Sequence, residues 1–149
     1  DNWMGDSKWD LIHFNWGLHD LCYRNPEVKS VGNRDKVNGK QSVPPALYEK
    51  NLEELVQRLK KTGAKLIWAS TTKVPEGEPG RFAGDEIKYN QIAEKIMKKH
   101  GVQINDLHKL SSSLKPAFFR KPEDVHYTTQ GSSVLGDQVV ETIAKALGI

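Results

Sequence analysis

Three short apolar runs alternate with three segments of helical period along this chain. The runs lie at residues 9–16, 65–70 and 102–104; the helical segments lie at 45–62, 85–100 and 129–147. Apolar runs of this length bounded by Gly or polar residues read as strands buried on both faces. In the first helical segment Tyr48, Leu52, Leu55, Val56 and Leu59 form one stripe. Pro44-Pro45 opens it, and Gly63 after Lys60-Lys61-Thr62 closes it with cations at the negative end of the helix dipole. Asp85 is expected to cap the second helix, with Ile87, Ala93, Ile96 and Met97 supplying much of its buried face. Leu135, Val139, Ile143 and Ala146 line one side of the last, and a shorter helical turn falls near 107–113. This alternation predicts one α/β domain over residues 1–149, a parallel sheet with helices on its faces. Residues 22–46 and 71–84 read as long polar loops, a kind that is usually functional or mobile in compact domains.

Composition removes several classes of function. The formal charge of +3 comes from 22 basic residues spread among 19 acidic ones, so there is no basic stripe for nucleic acid. Cys22 stands alone, which excludes an internal disulfide and a cysteine metal cluster. No run reaches the length of a membrane span. His13, His19, His100, His108 and His126 lack zinc-type spacing, and no Gly-Lys-Ser/Thr phosphate cradle occurs, so neither metal nor cofactor is implied. His13 reads as a satisfied core residue and His100 as a cation at a helix end. No signal segment is visible at Asp1 and no Met begins the chain, which fits a processed or truncated chain; a secreted or periplasmic location is compatible with a removed signal.

Chemistry is expected where loops leave the carboxyl ends of the strands. The first run turns into Gly17-Leu18-His19-Asp20, and Trp16 beside it, with Asp20, is placed to line a substrate cleft. Before the last helix stands Glu123-Asp124-Val125-His126-Tyr127-Thr128. A carboxylate beside an imidazole fixes its tautomer and stabilises the imidazolium formed on proton transfer. Spacing alone leaves a second reading open, in which Asp124 caps a turn and His126 is a surface residue. Lys73, Arg81, Arg120 and Lys121 are expected as solvated loop charges, available to an anionic or sugar substrate.

Taken together, these two blocks resemble the third and last conserved blocks of the SGNH (GDSL-type) hydrolases, which are esterases and lipases. The third block reads Gly-x-Asn-Asp in the family and Gly17-Leu18-His19-Asp20 here; the last reads Asp-x-x-His. The helix carrying Tyr89-Asn90-Gln91-Ile92-Ala93 also looks like the family's helix between them. The resemblance covers residues 3 to 147 or so and implies a flavodoxin-like three-layer α/β/α fold lacking its first strands. It implies deacylation of small acyl esters, such as acetylated sugars or short-chain lipids, by a Ser-His-Asp mechanism without a cofactor. His126 is then the general base. Asp124 is its orienting acid, with Glu123, three residues before the His, as the alternative acid. Gly17 and His19 contribute to the oxyanion site, His19 standing where the family has Asn.

The family's nucleophile is a Ser in Gly-Asp-Ser after an earlier strand. Gly5-Asp6-Ser7 spells that motif but follows no apolar strand, and it precedes the strand at 9–16. A strand of about eight residues is roughly 26 Å long, which sets Ser7 at the wrong end of the sheet. Ser70, Ser111-Ser112-Ser113 and Ser132-Ser133 lack the context, and Cys22 reads as a small half-buried residue. The nucleophile is therefore not identifiable in the chain and is expected from another segment. An apolar edge strand at 9–16 would be a liability, so upstream chain or a second copy is expected to cover it. A contrasting reading is a truncated or inactive member that binds or assembles rather than hydrolyses.

Overall fold

The computed structural model describes residues 7–29 and 31–149. Among these residues five strands occur: β1 (Leu11–Phe14), β2 (Tyr23–Arg24), β3 (Lys40–Gln41), β4 (Lys65–Ala69) and β5 (Gln103–Asn105). Four α-helices join them: α1 (Pro45–Lys60), α2 (Asp85–His100), α3 (Leu107–Ser113) and α4 (Thr129–Leu147). The main sheet is parallel in the order β1-β4-β5, with Phe14 opposite Trp68 and Trp68 opposite Ile104. Side chains alternate across a strand. Phe14 and Trp68 accordingly enter a core with Tyr48, Leu52 and Val56 of α1 and Tyr89, Ala93 and Met97 of α2. The opposite face meets α4 through a polar chain. Gln138 Nε2 donates to Asn105 Oδ1 (2.7 Å), and Asn105 Nδ2 lies 3.2 Å from His13 Nε2. Helices thus cover both faces, and the α/β/α three-layer expectation holds. His13 is satisfied within this layer, and burial lowers its pKa below 6.5.

Several local expectations change. Asp85 does not cap α2. The cap position is Gly84 at φ 94, and the Gly84 N–H is taken instead by the carboxylate of Glu86 (2.8 Å). Glu86 is consequently buried, while Ile87 is 47% exposed rather than in the core. The loop at 22–46 contains a small hairpin, β2 antiparallel to β3. Its strands have two residues each and no apolar alternation. The loop is shaped by polar contacts: the Asp35 carboxylate accepts from Asn25 Nδ2 and from the backbone N–H groups of Val37 and Asn38, each at 3.0 Å.

Among the described residues β1 pairs only with β4. In a parallel ladder alternate residues bond to opposite sides. Lys65 N–H donates to Asp10 O (3.0 Å), so Ile12 and Phe14 continue toward β4, while the backbone groups of Leu11 and His13 face the other side. Along that side runs a groove of about 700 Å³, lined by Leu11, Ile12, Phe14, Trp16, Leu55 and Leu59 among others. No helix among the described residues is long and apolar enough to cross a membrane.

At the far end of the core, Glu53 of α1 fastens α2. Its Oε1 accepts from Lys99 Nζ, Gln57 Nε2 and His100 Nε2, all at 2.8 Å. The hydrogen bonds from Lys99, Gln57 and His100, in that order, hold the carboxyl at about 2, against 4.5 ordinarily. A folded-state pKa below the unfolded one stabilises above the unfolded value and loses that stabilisation as pH falls toward the folded one. Glu53→Gln should therefore flatten the loss of stability between pH 4.5 and about 2, as read by urea melts along an acid series.

Candidate active site

The carboxyl end of the sheet gathers three loops. The loop after β1 turns at Gly17, where φ is 152 and a Cβ would stand 2.1 Å from Thr71 Oγ1. Only a residue without a side chain lets the loop lie this close to the end of β4. Thr71 is in turn fixed by Asn90 of α2, which accepts from the Thr71 N–H and donates to its carbonyl, both at 2.8 Å. Tyr48 OH and Thr71 Oγ1 both donate to Trp16 O, at 2.8 and 3.4 Å. Leu21 N–H closes the turn onto Gly17 O at 2.9 Å. His19 is exposed on this turn. Asp20 lies half-buried near Tyr48; burial first, then the Asp20 charge, raises the Tyr48 phenol well above its ordinary range. Trp16 packs on Phe14, ring centroids 5.3 Å apart, and lines the groove beside β1.

The residues before α4 reach the same end. Lys65 begins β4, and its Nζ donates to Ala146 O near the end of α4 (2.6 Å), so α4 starts at the carboxyl end of the sheet. Thr128 caps it, its hydroxyl accepting from the Gly131 N–H at 3.2 Å. Just ahead, Asp124 Oδ1 accepts from the His126 backbone N–H at 3.1 Å and faces His126 Nδ1 at 2.6 Å. A carboxylate only accepts, so Nδ1 carries the proton and Nε2 presents its lone pair. Burial opposes ionisation of Asp124, but the hydrogen bonds and charge of His126, with Lys121, hold its carboxyl below 3.8. The His126 side chain is 62% exposed and that of Asp124 14%, an open base over a shielded acid. Glu123 instead packs against Gly77, filling the space a side chain there would take. Asp124 is therefore the acid bonded to His126.

The loop at 71–84 connects the two sides. Gly77 touches Glu123 on one, and Arg81 Nε donates to Leu18 O (2.8 Å) on the other. Arg81 Nη1 also donates to Glu78 Oε1 at 2.8 Å, beside a bond from Arg34 Nη1 at 3.0 Å. Glu78 is 0% exposed and Arg81 4%, so Arg81 is a buried anchor and not the solvated loop charge expected of it. The bare sequence carried little signal for this role beyond an acid and a base three apart.

The described serines are engaged elsewhere or lie away from this point. Ser70 Oγ donates to Asp106 Oδ1 (3.0 Å) and accepts the His108 N–H (2.8 Å). Buried Ser111 donates to His108 O at 3.0 Å. Ser7 is exposed in the segment leading into β1, and Ser132 and Ser133 are exposed in α4. No hydrogen bond joins a described serine hydroxyl to His126. Cys22 is fully buried. No three His, Cys, Asp or Glu among the described residues converge as a metal-ligand set.

No family model and no curated protein sequence matches the chain. Solved structures do. A lipase/acylhydrolase from Enterococcus faecalis superposes with a TM-score of 0.70 at 17% identity, over 92% of this chain and 62% of that one. An acetylxylan esterase from Geobacillus stearothermophilus gives 0.65 at 17% identity, over 90% of this chain and 59% of that one. A further acetyl xylan esterase, AlAXEase, gives 0.68 at 17% identity, over 90% and 67%. At such identities the likeness establishes the fold, and the chain spans about three fifths of the first two.

The Gly17 contact is testable. Gly17→Ala forces a Cβ onto the buried Thr71 and an unfavourable φ, so it should cost about 2 kcal/mol, read as a lowered urea midpoint. An unchanged midpoint would show that the loop does not pack against Thr71.

Proposed function

We propose that this chain carries the base half of an SGNH-type carboxylic ester hydrolase acting on small acyl esters, such as acetylated sugars or short-chain lipids. The observation that carries the reading is the Asp124–His126 pair, at 2.6 Å, just ahead of α4, whose start lies at the carboxyl end of the parallel sheet. In this reading His126 Nε2 takes the proton of a serine hydroxyl as it attacks the ester carbonyl, then returns it to the departing alcohol. Asp124 holds the imidazole and stabilises the imidazolium. The oxyanion receives hydrogen bonds from the Gly17–His19 turn, with the His19 ring in the place of an amide side chain. The lipase/acylhydrolase and the acetylxylan esterases that share this fold support the substrate class.

The nucleophile is proposed to arrive on a further parallel strand seated along the open side of β1. The outward backbone groups of Leu11 and His13 and the apolar groove suit such a strand, whose carboxyl end would fall near Gly17. A second reading, a binding or assembly module without turnover, is favoured by the lack of a described serine bonded to His126.

With the enzyme in its assembled form and p-nitrophenyl acetate as substrate, His126→Ala should lower kcat by at least about 10³-fold and Asp124→Asn by about 10²–10⁴-fold. Glu123→Gln should stay within about twofold, because it does not touch the ring. Loss of activity in Glu123→Gln with Asp124→Asn intact would reverse the acid assignment. Absence of turnover in the parent enzyme would support the binding module.

A further inference from the structure

We propose that Arg24 is a positioning residue that locks His19 as an Nε2–H donor. The inference rests on the hydrolase reading for its purpose, though not for its geometry. Arg24 Nη2 lies 3.5 Å from His19 Nδ1. A guanidinium has N–H donors and no acceptor. A proton on His19 Nδ1 would set N–H against N–H; a bare Nδ1 accepts from the arginine. The proton then resides on Nε2, the other ring nitrogen.

The Arg24 side chain and the backbone of the His19 turn are each held by their surroundings. Arg24 Nε donates to Ser42 Oγ at 3.1 Å, and Arg24 Nη1 donates to Gly32 O. Arg24 also belongs to β2, paired with Lys40 of β3. On the other side, Leu21 N–H and Cys22 N–H close the turn onto Gly17 O (2.9 Å) and His19 O (3.3 Å). Val43 N–H and Ser42 N–H then tie Asp20 O and Cys22 O, both at 2.9 Å. The hairpin that carries Arg24 and the turn that carries His19 are thus laced together, which keeps the Arg24 side chain, itself held by Ser42 and Gly32, beside the turn.

The lock solves a chemical problem of using His where an amide would serve. An amide always presents its N–H. A neutral imidazole exchanges tautomers, and the form with a bare Nε2 would aim a lone pair at the oxyanion and repel it. With Arg24 on Nδ1, the ring offers a donor throughout. His126 has the complementary arrangement, its proton held on Nδ1 by Asp124 and its Nε2 bare. One ring is set to donate and the other to accept, each through a partner on Nδ1.

The test is the ring ¹⁵N spectrum of the whole protein, taken above the pH at which the rings titrate. The expected result is a His19 Nδ1 signal at the acceptor extreme and an Nε2 signal at the protonated extreme, more polarised than in a free histidine peptide. In Arg24→Met both signals should move toward the averaged values of that peptide. Arg24→Lys, whose ammonium also has only donors, should retain the polarisation better than the Met variant. A proton on Nδ1 in the parent protein overturns the proposal, as does an unmoved spectrum in Arg24→Met. If Arg24→Met opens the hairpin, the parent spectrum decides, because polarisation no greater than that of the peptide also overturns it. The spectrum is read without substrate, so failure of the ester-hydrolase reading leaves this outcome untouched.

Discussion

The buried carboxylate of Glu78 is the point on which the arrangement of the site depends. A charge withdrawn from water costs several kcal/mol unless it is paired and fully hydrogen-bonded. Glu78 meets that condition: Arg81 and Arg34 bond Oε1, and the Gly80 N–H bonds Oε2 at 2.7 Å. Each donor comes from a segment the site needs. Arg81 passes the constraint to Leu18 O and so to the turn bearing His19. Arg34 brings in the loop between β2 and β3. The adjacent Gly77 is packed under Glu123, next to Asp124. The long loop after β4 is therefore a bracket that fixes the turn after β1 and the segment before α4 relative to one another.

Strand β4 gives the bracket its foundation. It lies between β1 and β5, and its last residues lead into Ser70 and Thr71, which are held by Asp106 and Asn90. Ser70 is thereby a structural hydroxyl: it donates to a carboxylate and accepts a backbone N–H, which leaves it no role as a nucleophile. The exposed ring of His126 contrasts with this. Its carboxylate partner Asp124 is shielded while the ring itself is exposed.

Much of this was legible in the residues. The three main strands, α1, α2 and α4 follow from apolar period and from helix-end signals such as Pro45 and Gly63, because burial selects the pattern and helix ends select those residues. The Asp124–His126 contact was legible because a two-residue spacing brings a short carboxylate onto the ring through a local turn. The β2–β3 hairpin was not legible: its strands are two residues each, and the loop between them is shaped by Asp35 accepting from Val37, Asn38 and Asn25, which leaves no periodic trace. The buried role of Arg81 was hidden for a similar reason. A charged residue in a Pro- and Gly-rich loop looks solvated until its partner, Glu78, is seen to be enclosed. Ile87 is exposed against its apolar pattern because Glu86 turns inward at the start of α2 to take the Gly84 N–H.

The open side of β1 joins fold and function. Leu11 and His13 offer backbone groups there, and the groove beside them is apolar, so a parallel strand would continue the sheet and bring its end toward Gly17 and His19. The central claim is that a serine on such a strand is activated by His126. It is tested most directly by treating the protein, isolated from its natural source, with a fluorophosphonate and locating the adduct by mass spectrometry. The account predicts one modified serine outside the described residues, with labelling lost in His126→Ala. Modification of Ser7, Ser70 or Ser111, or labelling indifferent to His126→Ala, would contradict it.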